Sequence, residues 1–200
     1  MNDDERKAAS APLEQLVREY DWPTHKFSRI NIVTGDDGSL VGSDGTSNSL
    51  SNDVDRKILH KIRSGADVVV VGARSVRVEG WQIPSLGSLL VVSRGGFESL
   101  PPCPKPERVR VVDLETAVTV CERATHWVCE GGQNLIAQLI QRDLVDELCV
   151  TMQRPSTQVS TVTPSLPKWL TSASYNQFLL TSATAHENSL FTRWRRGYND

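Results

Sequence analysis

The sequence predicts an α/β fold with a mostly parallel central sheet, helices on its faces and antiparallel strands at the C-terminal edge. Two observations carry this prediction. Strand-like apolar runs alternate with helical segments between residues 28 and 151, which is the pattern of parallel sheets. The chain then ends in two strand-like segments, residues 178–183 and 190–195, around the turn-forming sequence His186-Glu-Asn-Ser. This last pattern predicts a closing hairpin.

The clearest helix is predicted over residues 52–64. Val54, Ile58 and Ile62 repeat every four residues there, which places them on one apolar stripe. Asn52, or the serine before it, can cap the helix start. A shorter helix is predicted near the N-terminus, where Leu13 and its apolar neighbours precede a proline that ends the helical pattern.

The strands are predicted from short apolar runs. The sequence Asp67-Val-Val-Val-Val is apolar without alternation, which indicates a strand covered on both faces. The other predicted strands are residues 28–33, 89–92, 109–112, 125–129 and 145–151, and the other predicted helices are residues 114–123 and 132–141.

Length and composition indicate one domain behind a polar lead-in. We assign residues 1–28 to the lead-in and residues 29–200 to the domain, because 200 residues suffice for a single buried core. The net charge of -2 gives no reason to expect nucleic acid or an acidic membrane as a partner. No apolar run approaches the roughly 20 residues of a membrane span, and residues 1–10 lack the apolar segment of a secretion signal. We therefore expect a cytoplasmic protein.

The cysteines and histidines do not predict a metal site. The four cysteines form no C-x-x-C pair, and their spacing fits no zinc module. Cys129 and Cys149 lie in apolar, strand-like runs, where a free cysteine behaves as a small hydrophobic residue. The four histidines lie in separate segments. We expect no bound metal.

Glycines follow two predicted strands at the point where each ends. Gly72 follows the valine run, and Glu130-Gly131-Gly132 lies between a strand and a helix. The carboxyl ends of parallel strands form the ligand crevice of α/β sheets, and a helix start behind glycines offers free amides to a phosphate. These glycines can also be simple tight turns. Their spacing is not the G-x-G-x-x-G fingerprint of ordinary dehydrogenases.

Three charged residues remain ambiguous from the sequence alone. Arg63 ends a predicted helix, where a cation also complements the helix dipole, and helix chemistry alone favours that structural role. Arg94 follows a strand and can either clamp a phosphate or face water. Glu130 closes an apolar strand and can meet a ligand hydroxyl or simply be solvated. No nucleophile triad, P-loop or paired-carboxylate motif supports a hydrolase or a kinase.

Several motifs together resemble those of the riboflavin-biosynthesis pyrimidine reductases. They are Asp37-Gly38, Gly45-Thr-Ser-Asn-Ser-Leu-Ser51, the stretch from Asp55 through Arg63 to Gly72, Glu130-Gly-Gly, Leu144-Val-Asp-Glu-Leu148 and the closing His186-Glu-Asn-Ser-Leu-Phe-Thr-Arg-Trp. These reductases are relatives of the reductase half of a bifunctional deaminase-reductase and share the dihydrofolate-reductase-like fold. The zinc signature of a deaminase domain is not present in the sequence, so the resemblance implies only the reduction step.

The resemblance implies a reaction and a set of contacts. The family uses NADPH to reduce the ribose of 5-amino-6-(5-phosphoribosylamino)uracil to the ribityl form. Ser47, Arg63 and Glu130 fall on substrate positions. The predicted cofactor contacts are Thr34, Gly72, Ala73, Arg74, Ser75, Glu79, Ser93, Arg94, Gly131, Gly132, Gln133, Asn134 and Leu135. Among these, the guanidinium groups of Arg74 and Arg94, with Ser93, are expected to face the extra phosphate that distinguishes NADPH from NADH.

The sequence departs from the family pattern at several site positions. Asn31 stands where many members have lysine, and Arg74-Ser75 replaces the common Gly-Thr. Two alternatives therefore stay open: a degenerate paralogue that binds a nucleotide without turnover, and a reductase of another pyrimidine or a pterin. The sequence assigns no catalytic residue.

A homodimer is expected chiefly because the resembling family forms dimers. The apolar residues of the C-terminal hairpin add support, since an exposed sheet edge is normally covered or paired. They are Phe178, Leu179, Leu180, Phe191 and Trp194. The alternative is that the hairpin packs against the core of its own chain.

Overall fold

The structure is a computed structural model that describes residues 12–153, 164–170 and 177–197. Its strands are β1 (Phe27–Thr34), β2 (Val68–Gly72), β3 (Ser88–Val92), β4 (Val109–Val112), β5 (His126–Cys129), β6 (Glu147–Gln153), β7 (Phe178–His186) and β8 (Ser189–Arg196). Its α-helices are α1 (Leu13–Arg18), α2 (Asp53–Ser64), α3 (Ala73–Glu79), α4 (Leu114–Arg123) and α5 (Gln133–Gln141).

The eight strands form one sheet in the order β4-β3-β2-β5-β1-β6-β8-β7. From β4 to β6 all neighbouring strands are parallel. The last two pairs, β6 with β8 and β8 with β7, are antiparallel. The predicted fold class, a mostly parallel sheet with an antiparallel C-terminal edge, is confirmed. This order sets the carboxyl ends of β2, β5 and β1 side by side.

Both faces of the sheet are covered, which explains the uninterrupted valine run of β2. Val68 and Val70 pack into the core under α4 and α5, whereas Val69 and Val71 pack into the core under α1, α2 and α3. Successive side chains of a strand point to opposite faces, so a strand buried on both faces needs no polar alternation.

Helix α2 forms as its periodicity predicts. The side chain of Asn52 accepts a hydrogen bond from the Asp55 amide at 2.9 Å and so caps the helix start. Gly65 follows the last turn, and a Cβ atom there would lie 2.3 Å from Trp22 Cδ1. Trp22 in turn donates from Nε1 to the carbonyl of Ile62 at 2.8 Å. The glycine is therefore required by the close approach of the indole ring.

Helix α3 is not indicated by the local pattern, because it directly follows the valine run at residues where the sequence predicts no helix. The described part of the lead-in shares the domain core, because Leu16 and Tyr20 are buried beside α2. The division at residue 28 stays a prediction.

The C-terminal hairpin is apolar on two sides. Phe178 and Phe191 are buried in the core of their own chain. Leu179 and Leu180, in contrast, are 63% and 41% exposed on β7, which is the edge strand of the sheet. Phe178 and Phe191 therefore pack against the core of their own chain, whereas Leu179 and Leu180 do not.

The buried cysteines serve as apolar filler, as the sequence indicates. Cys121, Cys129 and Cys149 are buried and free. Burial raises the pKa of both Cys121 and Cys129 to about 12, so these thiols stay protonated at neutral pH. Among the described residues, no His, Cys, Asp or Glu group is arranged to hold a metal ion. No helix in that part of the chain has the length and apolar character needed to cross a membrane.

Candidate functional site

A cleft of about 830 Å³ opens at the carboxyl ends of β1, β2 and β5. Residues of α2, of α3 and of the first turn of α5 line the cleft. The polar loop of residues 39–48 completes its rim. Carboxyl ends of parallel strands are the usual place for ligands in open α/β sheets.

The cleft brings together most of the site residues predicted from the sequence. Those that line it are Ser47, Arg63, Gly72, Ala73, Arg74, Ser75, Glu79, Arg94, Glu130, Gly131, Gly132, Gln133, Asn134 and Leu135. Thr34 and Ser93 do not line it. The roles assigned to these residues by the resemblance stay predictions, but their predicted proximity is a property of the fold.

The central polar feature of the cleft is an ion pair between Arg63 and Glu130. Nε of Arg63 donates to Oε1 of Glu130 at 2.8 Å, and Nη2 donates to Oε2. The two side chains are only 20% and 10% exposed. Burial lowers the pKa of Arg63, but the hydrogen bond to Glu130 and the charges of Glu130 and Glu79 outweigh burial and raise it above its ordinary value. Arg63 therefore presents a permanent cation to the cleft rather than serving only its own helix end.

Glu79 holds the loop that carries Ser47. Its Oε1 accepts a hydrogen bond from the Ser47 amide at 2.9 Å. The loop is also closed by Asp44, which accepts from the amide of Thr46 at 2.9 Å and from Ser49 Oγ at 2.8 Å. These bonds lower the pKa of Asp44, the Thr46 amide most. The carboxylate of Glu79 thus ties α3 to the opposite rim of the cleft.

The start of α5 is an open backbone cradle. Gly132 is the N-cap, and no side chain in the described ranges caps this helix. A Cβ atom on Gly132 or on Gly72 would meet no atom within 4 Å, so the backbone there is freely approached from the cleft. The amides of a first helical turn carry partial positive charge. In α5 one of them, that of Leu135, also donates to the Gly132 carbonyl at 3.0 Å.

The cradle fits the phosphates of a dinucleotide. Arg74 and Arg94 line the same cleft and add cations to the α5 amides. Thr34 lies apart from this cradle, because its hydroxyl is buried, has no hydrogen-bond partner in the described chain and does not line the cleft. The α5 start and the two arginines are compatible with the nicotinamide dinucleotide that the sequence resemblance implies.

Ser93, one of the predicted cofactor contacts, does not line the cleft. Its hydroxyl lies inside the turn after β3, where it accepts from the Gly95 amide at 3.2 Å and lies 3.1 Å from Ser99 Oγ. The side chain therefore shapes the turn that carries Arg94.

Asp55, which the sequence did not single out, also lines the cleft although it is only 4% exposed. Burial raises its pKa, and hydrogen bonds from Ser51 and Thr151 with the charge of Arg56 offset this only in part. The feature of the sequence that could have identified Asp55 is its four-residue spacing with Leu59 and Arg63, because this spacing sets all three residues on one face of α2. An acidic residue in a first helical turn is ordinary, so its type alone did not stand out.

Comparison with known proteins gives matches of structure but not of sequence. No family model matches the chain, and no curated protein sequence matches it. A pyrimidine reductase-like protein of Corynebacterium diphtheriae matches with a TM-score of 0.65 at 17% identity, over 94% of this chain and 99% of that one. The dihydrofolate reductase of Enterococcus faecalis, solved with NADP(H) and RAB-propyl, matches with a TM-score of 0.60 at 13% identity, over 86% and 97%. The chain has the dihydrofolate-reductase-like fold.

A larger protein contains the same fold as one part. The deaminase/5-amino-6-(5-phosphoribosylamino)uracil reductase of Thermotoga maritima matches with a TM-score of 0.61 at 14% identity, and the match covers 86% of this chain but 57% of that protein. The predicted resemblance to the pyrimidine reductases is therefore confirmed as a likeness of fold.

Proposed function

We propose that this protein is an NADPH-dependent reductase of riboflavin biosynthesis that reduces the ribose of 5-amino-6-(5-phosphoribosylamino)uracil to the ribityl form. One observation carries the proposal. A partly buried Arg63–Glu130 pair and an uncapped helix start, preceded by glycines, share one cleft of about 830 Å³. Such a cleft has the volume of a typical ligand pocket and offers separate polar ends to two ligands.

Arg63 and Glu130 serve the substrate in this proposal. Glu130 occupies Nε and Nη2 of Arg63, which leaves Nη1 of the guanidinium to donate to a phosphate. Each carboxylate oxygen of Glu130 keeps a lone pair that can accept from a ribose hydroxyl. Because the pair is held by two hydrogen bonds, the cation is oriented before the ligand arrives, which lowers the entropic cost of binding.

The first turn of α5, together with Arg74 and Arg94, serves the cofactor. The amides of the turn donate to the pyrophosphate, and the arginines neutralise the remaining phosphate charge. When bound, NADPH supplies the hydride for the reduction. The contribution of the chain is to hold sugar and nicotinamide in attack geometry at the carboxyl ends of β1 and β5.

A turnover assay tests the proposal. Purified protein is mixed with NADPH and enzymatically prepared phosphoribosylaminouracil, and the nicotinamide absorbance band is followed together with the mass of the pyrimidine. We expect NADPH oxidation that depends on the pyrimidine and yields the ribityl product. Absence of both signals, with the protein folded, contradicts the proposed activity.

A nucleotide-binding protein without turnover is the second candidate. The observation that favours it is that Arg63 and Glu130 satisfy each other, as do Glu79 and the Ser47 amide, without any ligand. Cofactor fluorescence distinguishes the two candidates. Saturable NADPH binding without oxidation, in the presence of the pyrimidine, favours the second.

The proposal includes a cytoplasmic homodimer that uses the edge strand β7. Leu179 and Leu180 expose apolar area on this edge, and twofold contacts are the commonest way to cover such a surface. Light scattering at micromolar concentration is expected to give twice the mass of the chain. A strict monomer removes this part of the proposal.

A further inference from the structure

A group of arginines outside the cleft carries more positive charge than its carboxylate balances. Glu147 pairs with three guanidinium groups, at 2.7, 2.7 and 3.0 Å, and these belong to Arg29, Arg193 and Arg195. Within residues 12–153, 164–170 and 177–197, none of the three forms a salt bridge with another carboxylate. Arginine stays protonated in proteins. Three cations and one carboxylate therefore leave a net charge of +2.

The buried member of the group has no donor left for a ligand. The side chain of Arg29 is fully buried, and its Nε donates to Glu147. Its two other guanidinium nitrogens donate to the carbonyls of Tyr20 and Asp21, at 2.7 and 3.0 Å. The surplus charge therefore reaches solvent through Arg193 and Arg195.

These two arginines keep free donors. Arg193 donates to Oε1 of Glu147 from Nε at 3.2 Å and from Nη2 at 2.7 Å, and Arg195 donates to the same oxygen from Nε at 3.0 Å. Nη1 of Arg193 and both Nη atoms of Arg195 have no acceptor in the described part of the chain. Arg195 is half exposed. Residues two apart on a strand share one face, so an anion on the solvent side can contact both guanidinium groups.

Aromatic rings hold the two guanidinium groups in place before a ligand arrives. Cζ of Arg193 lies 5.3 Å from the ring centre of Tyr20, and Cζ of Arg195 lies 5.5 Å from that of Phe27. Both rings are buried. Together with the shared carboxylate oxygen, these contacts fix the long side chains, which lowers the entropic cost of binding.

We propose that Arg193 and Arg195 form a second anion site, at the amino ends of the strands, that binds the phosphate group of a small ligand. A guanidinium presents paired donors that match phosphate oxygens, and the surplus of two positive charges balances one phosphate dianion. Neither arginine lines the cleft, so this site is independent of the proposed function. The alternative is that water and dissolved counter-ions alone screen the surplus charge.

Titration followed through the NMR signals of the arginine Nε–H groups tests the site. Inorganic phosphate, ribose 5-phosphate and sodium chloride are added to separate samples at equal ionic strength. We expect the signals of Arg193 and Arg195 to shift saturably with both phosphates and not with chloride. Equal affinities support a site for free phosphate, and tighter binding of ribose 5-phosphate supports a site for an organic phosphate. Shifts that depend only on ionic strength overturn the proposal.

A variant at the exposed arginine gives the direct test. Arg195→Gln should weaken phosphate binding about tenfold or more, read from the signal of Arg193. Arg142→Gln is the matched control, because Arg142 pairs with Glu115 alone and leaves no surplus charge. It should change the affinity less than about twofold, since solvent screens a distant surface charge.

The substitution Arg195→Lys keeps the result decisive if Arg195→Gln does not fold. Lysine retains the charge but lacks the paired donors of the guanidinium, so a several-fold loss of affinity is expected. Unchanged affinity in the variant that folds overturns the proposal.

Two further variants separate this site from the cleft. Glu147→Gln removes the balancing carboxylate, so the folded protein should bind phosphate about fivefold more tightly through the same signals. Weaker or unchanged binding contradicts a site built on surplus charge. Arg63→Ala alters the cleft and should leave the phosphate-induced shifts of Arg193 and Arg195 unchanged. Their loss in Arg63→Ala would show that they report binding in the cleft, and would overturn the proposal.

Discussion

Two arginine–glutamate clusters lie at opposite ends of the same sheet and are built differently. At the amino ends of the strands, Glu147 accepts from Nε of Arg29 at 2.7 Å, from Nη2 of Arg193 at 2.7 Å and from Nε of Arg195 at 3.0 Å. The other guanidinium nitrogens of Arg29 donate to the carbonyls of Tyr20 and Asp21. The side chains of Arg29 and Glu147 are fully buried.

The cluster at the carboxyl ends is smaller and more open. Arg63 has one acidic partner in contact, Glu130, and both side chains face the cleft. Farther along the rim, Arg94 is exposed and has no acidic partner among the described residues. The two clusters differ in how the central guanidinium is used. Every nitrogen of the buried Arg29 guanidinium donates within the chain, so this side chain holds the fold together. Arg63 donates to Glu130 from two nitrogens and faces the cleft, so its remaining nitrogen is available to an anion.

The largest expected effect lies at the Glu147 cluster. Glu147→Gln leaves three arginines without their shared counter-charge, and we expect the free energy of unfolding to fall by about 3–5 kcal/mol. Urea denaturation measures this loss. Glu115→Gln is the matched control, because that carboxylate pairs with Arg142 on the surface and is 77% exposed. Glu115→Gln should change the free energy of unfolding by less than about 0.5 kcal/mol. Equal losses in the two variants would contradict a special structural role for Glu147.

Acid should weaken the same cluster. Burial raises the pKa of Glu147, but the charges of Arg29 and Arg193 outweigh it and hold the pKa below its ordinary value of 4.5. A carboxyl group with a depressed folded-state pKa contributes stability above its unfolded pKa and loses it as pH falls through the folded one. We therefore expect the unfolding free energy of the wild type to decline below pH 4.5, and less steeply in Glu147→Gln. Parallel pH profiles from urea titrations would contradict this.

Arg63→Ala should affect ligand binding more than folding. Loss of the guanidinium removes a charge-assisted phosphate contact worth about 1.5–3 kcal/mol, so we expect the substrate KM to rise about tenfold or more. NADPH affinity and the melting temperature should change little by comparison. Lys61→Ala, which removes another cation from the end of α2, controls for the helix dipole. Unfolding of Arg63→Ala with unchanged ligand affinities in the folded fraction would make Arg63 a helix-end residue.

The smallest effect is expected at the exposed arginine. Arg94→Ala should weaken NADPH binding about tenfold, at the lower end of the range for charge-assisted hydrogen bonds, because solvent screens an exposed contact. NADH should bind equally to the wild type and the variant, since it lacks the extra phosphate. Fluorescence titration with both cofactors measures the dissociation constants of NADPH and NADH for the wild type and the variant. Equal losses for NADPH and NADH would show that Arg94 does not contact that phosphate.

The sequence predicts those helices and strands whose local pattern of apolar residues matches their burial in the folded protein. The four-residue spacing of Val54, Ile58 and Ile62 predicts α2, and the valine run predicts a strand buried on both faces. Helix α3 was missed because its sequence, from Ala73 to Glu79, carries two β-branched valines, has a glycine at its N-cap and directly continues a strand. The site was predicted largely through the family resemblance, since spacing alone left Arg63 as a helix-end cation.

The sequence by itself determined the elements of the fold, because periodicity is a property of neighbouring residues. Only the tertiary structure decided that Arg63 and Glu130, 67 residues apart, form one ion pair. Their meeting depends on β2 pairing with β5 in the register that sets Val70 beside Cys129, with the Glu130 amide donating to the Val70 carbonyl at 2.9 Å. Pairing between distant strands depends on how all the layers bury their apolar faces together, and no local pattern contains that information.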